Sequence, residues 1–245
     1  MLPDGQREIQ RPSSDEDSRP LSQYSNPPIF NLPTSVRWIA GATLLAHVAR
    51  LLMPSDLGHK LVWDLAFVGA RYEGPAGWSI EPLQLLTGPI TYTLVHADAM
   101  HLFINVFMLL AFGTVVARRM SRLRFLLFYI VCGIASGFFW WWLNQGSDVI
   151  LIGASGAISG MVGALGWISL HVPAMDRPGP FRQRSTALTF IFVWLGLNFM
   201  LALLPPALFG VGVAAIAWEA HLGGFIAGYI LIRFLDGRGR QIWLV

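Results

Sequence analysis

Six stretches of this chain, roughly 36–53, 100–117, 125–143, 150–170, 187–204 and 213–232, are almost wholly apolar. Each is about 18–22 residues long, the length a helix needs to cross a hydrocarbon core about 30 Å thick. Lipid offers no water to backbone N–H and C=O groups, so they must be satisfied within the segment, and the stretches read as helices rather than strands. Composition agrees. The 245 residues are 54% hydrophobic and 13% charged, whereas a soluble domain carries about 25% charged residues. The fold class that follows is an all-α polytopic membrane protein, a six-transmembrane-helix bundle over residues 35–236. Residues 1–34 are rich in Pro, Ser, Asp, Glu, Arg and Gln. They lack a basic start running into an apolar core, so they read as a disordered tail and not as a cleavable signal peptide. Residues 237–245 form a short C-terminal tail.

The charges sit at the ends of the apolar runs, which sets orientation and removes nucleic acid as a reading of the net charge of +3. Arg118, Arg119, Arg122 and Arg124 crowd the second connection; Arg177, Arg182 and Arg184 the fourth; Arg233, Arg238 and Arg240 the C-terminal end. The third connection, Asn144-Gln145-Gly146-Ser147-Asp148, and the fifth, around Pro205-Pro206, hold no Lys or Arg. Positive residues stay on the cytoplasmic side. Both termini are therefore expected on the cytoplasmic side of a cell membrane, the bacterial inner membrane. The long first connection, Pro54 to Asp98, is mixed in charge and suggests short interfacial helices. Trp140, Trp141 and Trp142 end the third run at the outer face, the position of an aromatic belt. The single Cys132 leaves no internal disulfide to form.

The fourth run, ILIGASGAISGMVGALGWISL from Ile150 to Leu170, is built from Gly, Ala and Ser. Small residues let helices approach closely in lipid, so this run is expected at the centre of the bundle. It carries Ser155 in the open frame Gly153-Ala154-Ser155-Gly156. A lone membrane serine usually bonds back to its own helix. This one has company. Ionisable and strongly polar groups in spans are costly and point to function. The second run carries His101 and Asn105, four apart and so on one face. The sixth carries Glu219 and His221, the fifth Asn198, the first His47 and Arg50. At about 1.5 Å per residue, Ser155 is expected about 7–8 Å below the outer end of its run, and Asn105 and His221 about 12 Å below theirs. Asn198, His47 and Arg50 read as interhelical bonds or snorkelling groups, and Glu219 as facing the outer water.

One outer layer then holds a hydroxyl, an imidazole and further donors. Serine is a weak nucleophile unless a base takes its proton, and His is the usual base. Acyl transfer also needs donors for the oxyanion, which His and Asn can supply. Gly156 and Gly160 after the serine, with Gly224 and Gly228 after the histidine, form two small-xxx-small faces on which the fourth and sixth helices can meet. No His-Glu-x-x-His occurs, which argues against a zinc protease. No run holds an interior Asp, which argues against an aspartyl pair. His96, Asp98 and His101 are a weak metal set, and no cofactor is expected.

The segments His96-Ala97-Asp98-Ala99-Met100-His101-Leu102-Phe103-Ile104-Asn105, Gly153-Ala154-Ser155-Gly156 and Ala220-His221-Leu222-Gly223-Gly224, in this order on the second, fourth and sixth runs, resemble the rhomboid family of intramembrane serine proteases. The resemblance covers about residues 36–235. It implies Ser155 as nucleophile and His221 as general base, a dyad without a third acid. It implies an oxyanion hole of His101, Asn105 and the Ser155 backbone N–H, with His96 bracing the first loop. The implied partners are the lipid bilayer and transmembrane protein substrates, cut at small residues near helix-weakening ones. Two features depart from the pattern. Ser159 stands where many members have an aromatic ring stacked on the catalytic histidine, so the base is expected either to be held by a hydrogen bond instead or to be more mobile. The Trp-Arg pair found in the first loop of many members is not visible. The competing reading, a silent relative that only binds or escorts membrane proteins, would lack the intact Ser155 and His221. A transporter would show repeat-related halves and broken helices.

Overall fold

The computed structural model describes residues 31–178, 182–203 and 217–237. The tail expected at 1–34 lies almost wholly outside the described residues, as do the connection around Pro205-Pro206 and the tail from 238 onward. In chain order the described helices are α1 (Thr34–Leu52), α2 (Ser55–Leu65), α3 (Ala76–Ile80), α4 (Pro82–Thr91), α5 (Ala99–Ala117), α6 (Arg122–Leu143), α7 (Ser155–His171), α8 (Arg184–Leu203) and α9 (Trp218–Leu235). Among the described residues the bundle is all-α apart from one short pairing of β1 (Phe67–Val68) with β2 (Ile150–Leu151). By length and composition, α5 and α6 are long and apolar enough to cross a membrane.

Local chemistry marks the helix starts. Asp98 caps α5 by accepting the His101 N–H at 2.8 Å, and Ser121 caps α6 through the Arg124 N–H. Both use a short side-chain acceptor to satisfy a backbone donor that the first turn leaves unpaired. Within α5 the stretch Leu109–Gly113 winds as a π-helix.

The fourth apolar run does not start as a helix. Ile150 and Leu151 pair antiparallel with Val68 and Phe67, and Gly153 takes φ +111°, a left-handed value that favours glycine. The chain turns there and α7 begins at Ser155 itself. The serine is therefore the first residue of its helix, not a turn and a half inside it. The physical reason is that the first loop supplies a strand partner for residues 150–151, which competes with helix. In the same way α9 starts at Trp218, so His221 lies within its first turn rather than two turns down; residues 213–216 of the expected run lie outside the described residues.

The core is organised on α7, as its small residues suggest. From Gly156 to Gly166 every residue of α7 is buried. Its closest neighbour is α9. A methyl group at Gly224 would collide with the Gly156 carbonyl, one at Gly228 with the Gly160 carbonyl, and one at Gly163 with the Phe225 carbonyl. The two backbones touch along this seam, which only residues without a Cβ permit. Cys132 on α6 is buried and packs against Gly160.

The first loop contains the expected short helices, α2, α3 and α4, held by a buried cation. Arg71 bonds Glu81 Oε2 at 2.7 Å through Nε and the Ala66 and Trp63 carbonyls through its other nitrogens. Its guanidinium also lies 5.4 Å from the Trp63 ring centre. A Trp and an Arg thus meet here although they are not adjacent in sequence. The three consecutive tryptophans do not form one belt. Trp140 is buried in a cluster with Phe67 and Tyr92, and Trp141 donates to Glu73 of the first loop; only Trp142 is exposed. Successive helical positions point about 100° apart, so three in a row cannot share a face. At the opposite end, Arg119 and Asp236 form a buried ion pair at 2.7 Å. Arg119 also donates to the Asp176 carbonyl, tying the ends of α5, α7 and α9 together.

Candidate active site

Ser155 and His221 meet across the α7–α9 seam. Ser155 Oγ lies 2.8 Å from His221 Nε2, although the residues are 66 apart in sequence. Close contact of the backbones makes this distance possible, since each side chain springs from the first turn of its helix beside the Gly156–Gly224 crossing.

The second imidazole nitrogen is also engaged. His221 Nδ1 bonds Asn198 Oδ1, from α8. Asn198 Nδ2 donates to the Trp194 carbonyl at 2.8 Å, one turn earlier on the same helix. A carbonyl only accepts, so this bond turns the amide nitrogen away and the amide oxygen toward the ring. The oxygen requires a hydrogen on Nδ1. The neutral ring then carries none on Nε2, which is free to accept from the Ser155 hydroxyl. Asn198 does make the interhelical bond expected of it, and its partner is the histidine beside the serine. Its polarity within an apolar run was the signal; no local spacing links it to His221.

At the position of the missing aromatic ring, Ser159 donates its hydroxyl back to the Ser155 carbonyl at 2.7 Å. It does not touch His221. The ring nearest to the imidazole is Trp194 of α8, at 6.3 Å between centroids.

His101 and Asn105 share a face of α5, as their spacing requires. Ala97 N–H points to His101 Nδ1 at 3.4 Å, which leaves the ring hydrogen on Nε2. That nitrogen lies against Gly153; a Cβ there would sit only 2.8 Å from it. Gly153 therefore serves twice, for its left-handed turn and for the room it leaves the imidazole two residues before Ser155. Asn105 is buried and donates one Nδ2 hydrogen to the His101 carbonyl at 2.9 Å. In the resting site its partner is its own helix, not Ser155. Its Oδ1 has no hydrogen-bond partner among the described residues.

His96 is buried and accepts from the Ala154 N–H at 3.4 Å, so it braces the strand entering α7. Burial first, then the neighbouring His101 imidazole, pushes His96 down to about 3. It stays neutral, as an acceptor must. Asp98, read with the two histidines as a weak metal set, is occupied as the α5 cap, and the His101 N–H it accepts holds its carboxyl below the ordinary value. Arg50 donates to the Ala97 carbonyl at 3.1 Å, tying α1 to the same corner.

Comparison with known proteins bears on the same part of the chain. The family model for the rhomboid domain matches residues 84–237. The chain is 30% identical over 140 residues to rhomboid protease GluP of Bacillus subtilis, covering 57% of this chain and 24% of that protein. It is 27% identical over 154 residues to rhomboid protease GlpG of Haemophilus influenzae, covering 62% of this chain and 70% of that protein. It is 24% identical over 137 residues to RHOMBOID-like protein 5 of Arabidopsis thaliana, covering 56% and 40%. The matched part thus spans about a quarter to two-fifths of GluP and of the plant protein.

Proposed function

The chain belongs to the rhomboid family, and we propose that it is an intramembrane serine protease that hydrolyses a peptide bond in or near the transmembrane helix of other membrane proteins. The observation that carries this reading is the 2.8 Å contact between Ser155 Oγ and His221 Nε2.

The chemistry follows from the geometry. Ser155 Oγ attacks the scissile carbonyl carbon while its proton passes to His221 Nε2, giving a tetrahedral oxyanion and an imidazolium. The imidazolium returns the proton to the leaving amine as the C–N bond breaks. Water then repeats the sequence on the acyl-enzyme, with His221 as base, and frees Ser155. The negative oxygen falls beside the start of α7. The first N–H groups of a helix lack partners within it, and its dipole favours negative charge there. That is the value of Ser155 being the first helical residue. In this reading His101 Nε2–H and the second Nδ2 hydrogen of Asn105, both on α5, complete the donor set.

We read six transmembrane helices, α1, α5, α6, α7, α8 and α9, in a cell membrane, with both termini cytoplasmic. The Arg-rich ends around Arg118 to Arg124, Arg177 to Arg184 and Arg233 support this orientation. The substrate is a transmembrane helix that must unwind locally, because a helical amide is already hydrogen-bonded and sterically closed.

The test is labelling of the purified protein with a fluorophosphonate in detergent, with the adduct mapped by mass spectrometry. An adduct on Ser155, and loss of both adduct and cleavage in Ser155→Ala, is the expected result. Cleavage of a single-pass substrate by pure Ser155→Ala protein would overturn it.

A further inference from the structure

We infer that Asn198 is a positioning residue for the reaction: its side-chain oxygen fixes the tautomer and direction of the His221 ring, so that Nε2 faces Ser155 as an acceptor. This makes the site a three-member Ser155–His221–Asn198 hydrogen-bonded row on three different helices, and it rests on the protease reading above.

Three observations carry it. His221 is bonded at both nitrogens, to Ser155 through Nε2 and to Asn198 through Nδ1. The amide cannot rotate to present its nitrogen, because Nδ2 is committed to the Trp194 carbonyl. The position one turn after the nucleophile holds Ser159, which is bonded to its own helix and leaves no ring there to steady the base. A neutral imidazole bonded only at Nε2 could place its hydrogen on either nitrogen, and the tautomer with hydrogen on Nε2 cannot accept the serine proton. The acceptor at Nδ1 removes that tautomer, as the carboxylate does in aqueous serine proteases. An amide in place of a carboxylate carries no charge. It orients the ring without burying an anion in the bilayer, where a charge is costly. Asn198 touches no reacting atom; it acts through His221.

The experiment uses the full chain in one detergent and compares Asn198→Leu, which has similar bulk and no acceptor, with Asn198→Asp, which keeps an oxygen toward Nδ1. Fluorophosphonate labelling of Ser155 reports serine activation without substrate docking. Cleavage kinetics separate kcat from KM, and melting temperature reports packing. Loss of the acid in an aqueous triad costs about 10⁴ in kcat; the neutral amide does less, and Asn198→Leu is expected to slow labelling and kcat by about 10–100-fold. KM is expected to hold within about twofold, since ring direction matters at the transition state. Asn198→Asp should recover most of the loss. If Asn198→Leu does not stay folded at the assay temperature, Asn198→Ala is read on the same scales. Wild-type labelling in the acceptor-free variant overturns the inference. So does an equal loss in Asn198→Leu and Asn198→Asp, which would assign the amide to helix packing through Trp194. A wild-type protein that takes no label at Ser155 overturns the protease reading itself, a result distinct from either.

Discussion

The α7–α9 seam and the two outer helices, α5 and α8, are built differently. Along the seam the backbones touch, and eleven consecutive residues of α7, Gly156 to Gly166, are buried. By contrast α5 turns Phe103, Ile104 and Phe107 outward, and α8 exposes Phe192, Val193, Leu197 and Phe199. The reacting pair, Ser155 and His221, stands on the seam. The groups proposed to aim and support it, His101, Asn105 and Asn198, come from the outer helices. A distance that must hold to a few tenths of an ångström is placed where packing leaves no slack. The proposed supporting groups stand on helices with more exposed faces.

Removing the pair itself tests that division most severely. His221→Ala is expected to abolish cleavage as fully as Ser155→Ala, and the double variant should be no slower than either, because members of one catalytic unit do not add. A double variant much slower than both singles would separate the two residues.

The seam can be broken without touching the pair. In Gly228→Ala the new methyl meets the Gly160 carbonyl, carbonyl carbon and Cα. Backbone cannot move aside as a side-chain tip does, so a cost at or above the usual 1–3 kcal/mol of overpacking, about 3 kcal/mol, is expected. Thermal melting in detergent checks it; a melting point within a degree or two of wild type would mean that the seam is looser than its geometry.

On α5 the expected effect is kinetic. Asn105→Ala should lower kcat by roughly one to two orders of magnitude, less than the loss of a sole oxyanion donor, because His101 and a backbone N–H share the charge. KM should barely change. A lowered melting point with kcat preserved in the cold would make Asn105 a scaffold instead.

The joint between loop and seam carries a pH signature. The folded protein holds His96 neutral down to about 3, against an ordinary value of 6.5. Between these values the unfolded chain binds one more proton than the folded one. Stability should therefore fall as pH drops through that window, by at most about 1.4 kcal/mol per pH unit from this group, and level off below it. Denaturation of His96→Asn at stepped pH should show a shallower slope; an unchanged slope would remove His96 as its source.

The smallest effect is expected on α8. A Cβ at Gly196 meets nothing within 4 Å, so Gly196→Ala should be neutral or stabilising by up to about 1 kcal/mol from helix propensity. The same substitution on the two kinds of helix, Gly196→Ala against Gly228→Ala, measures the contrast directly. Equal melting points for the two would erase it.

What the chain's own letters determined was the class and the candidate residues. Long charge-poor runs admit only helices in a bilayer, the Gly-rich run was suited to the centre, and the polar groups within the apolar runs marked the candidates. These are local properties of composition and spacing. The short helices of the first loop were legible for the same reason. The start of α7 was not. Ile150 and Leu151 are good helix or strand residues alike, and only the distant Phe67–Val68 strand decides between them. Nor were the separate fates of Trp140, Trp141 and Trp142, which depend on what the first loop packs against each. The meeting of Trp63 with Arg71 and of Asn198 with His221 had no signature in spacing. The latter pair sits on two helices that both also pack against α7. Periodicity tells which face a residue is on; only the packed bundle tells which other face it meets.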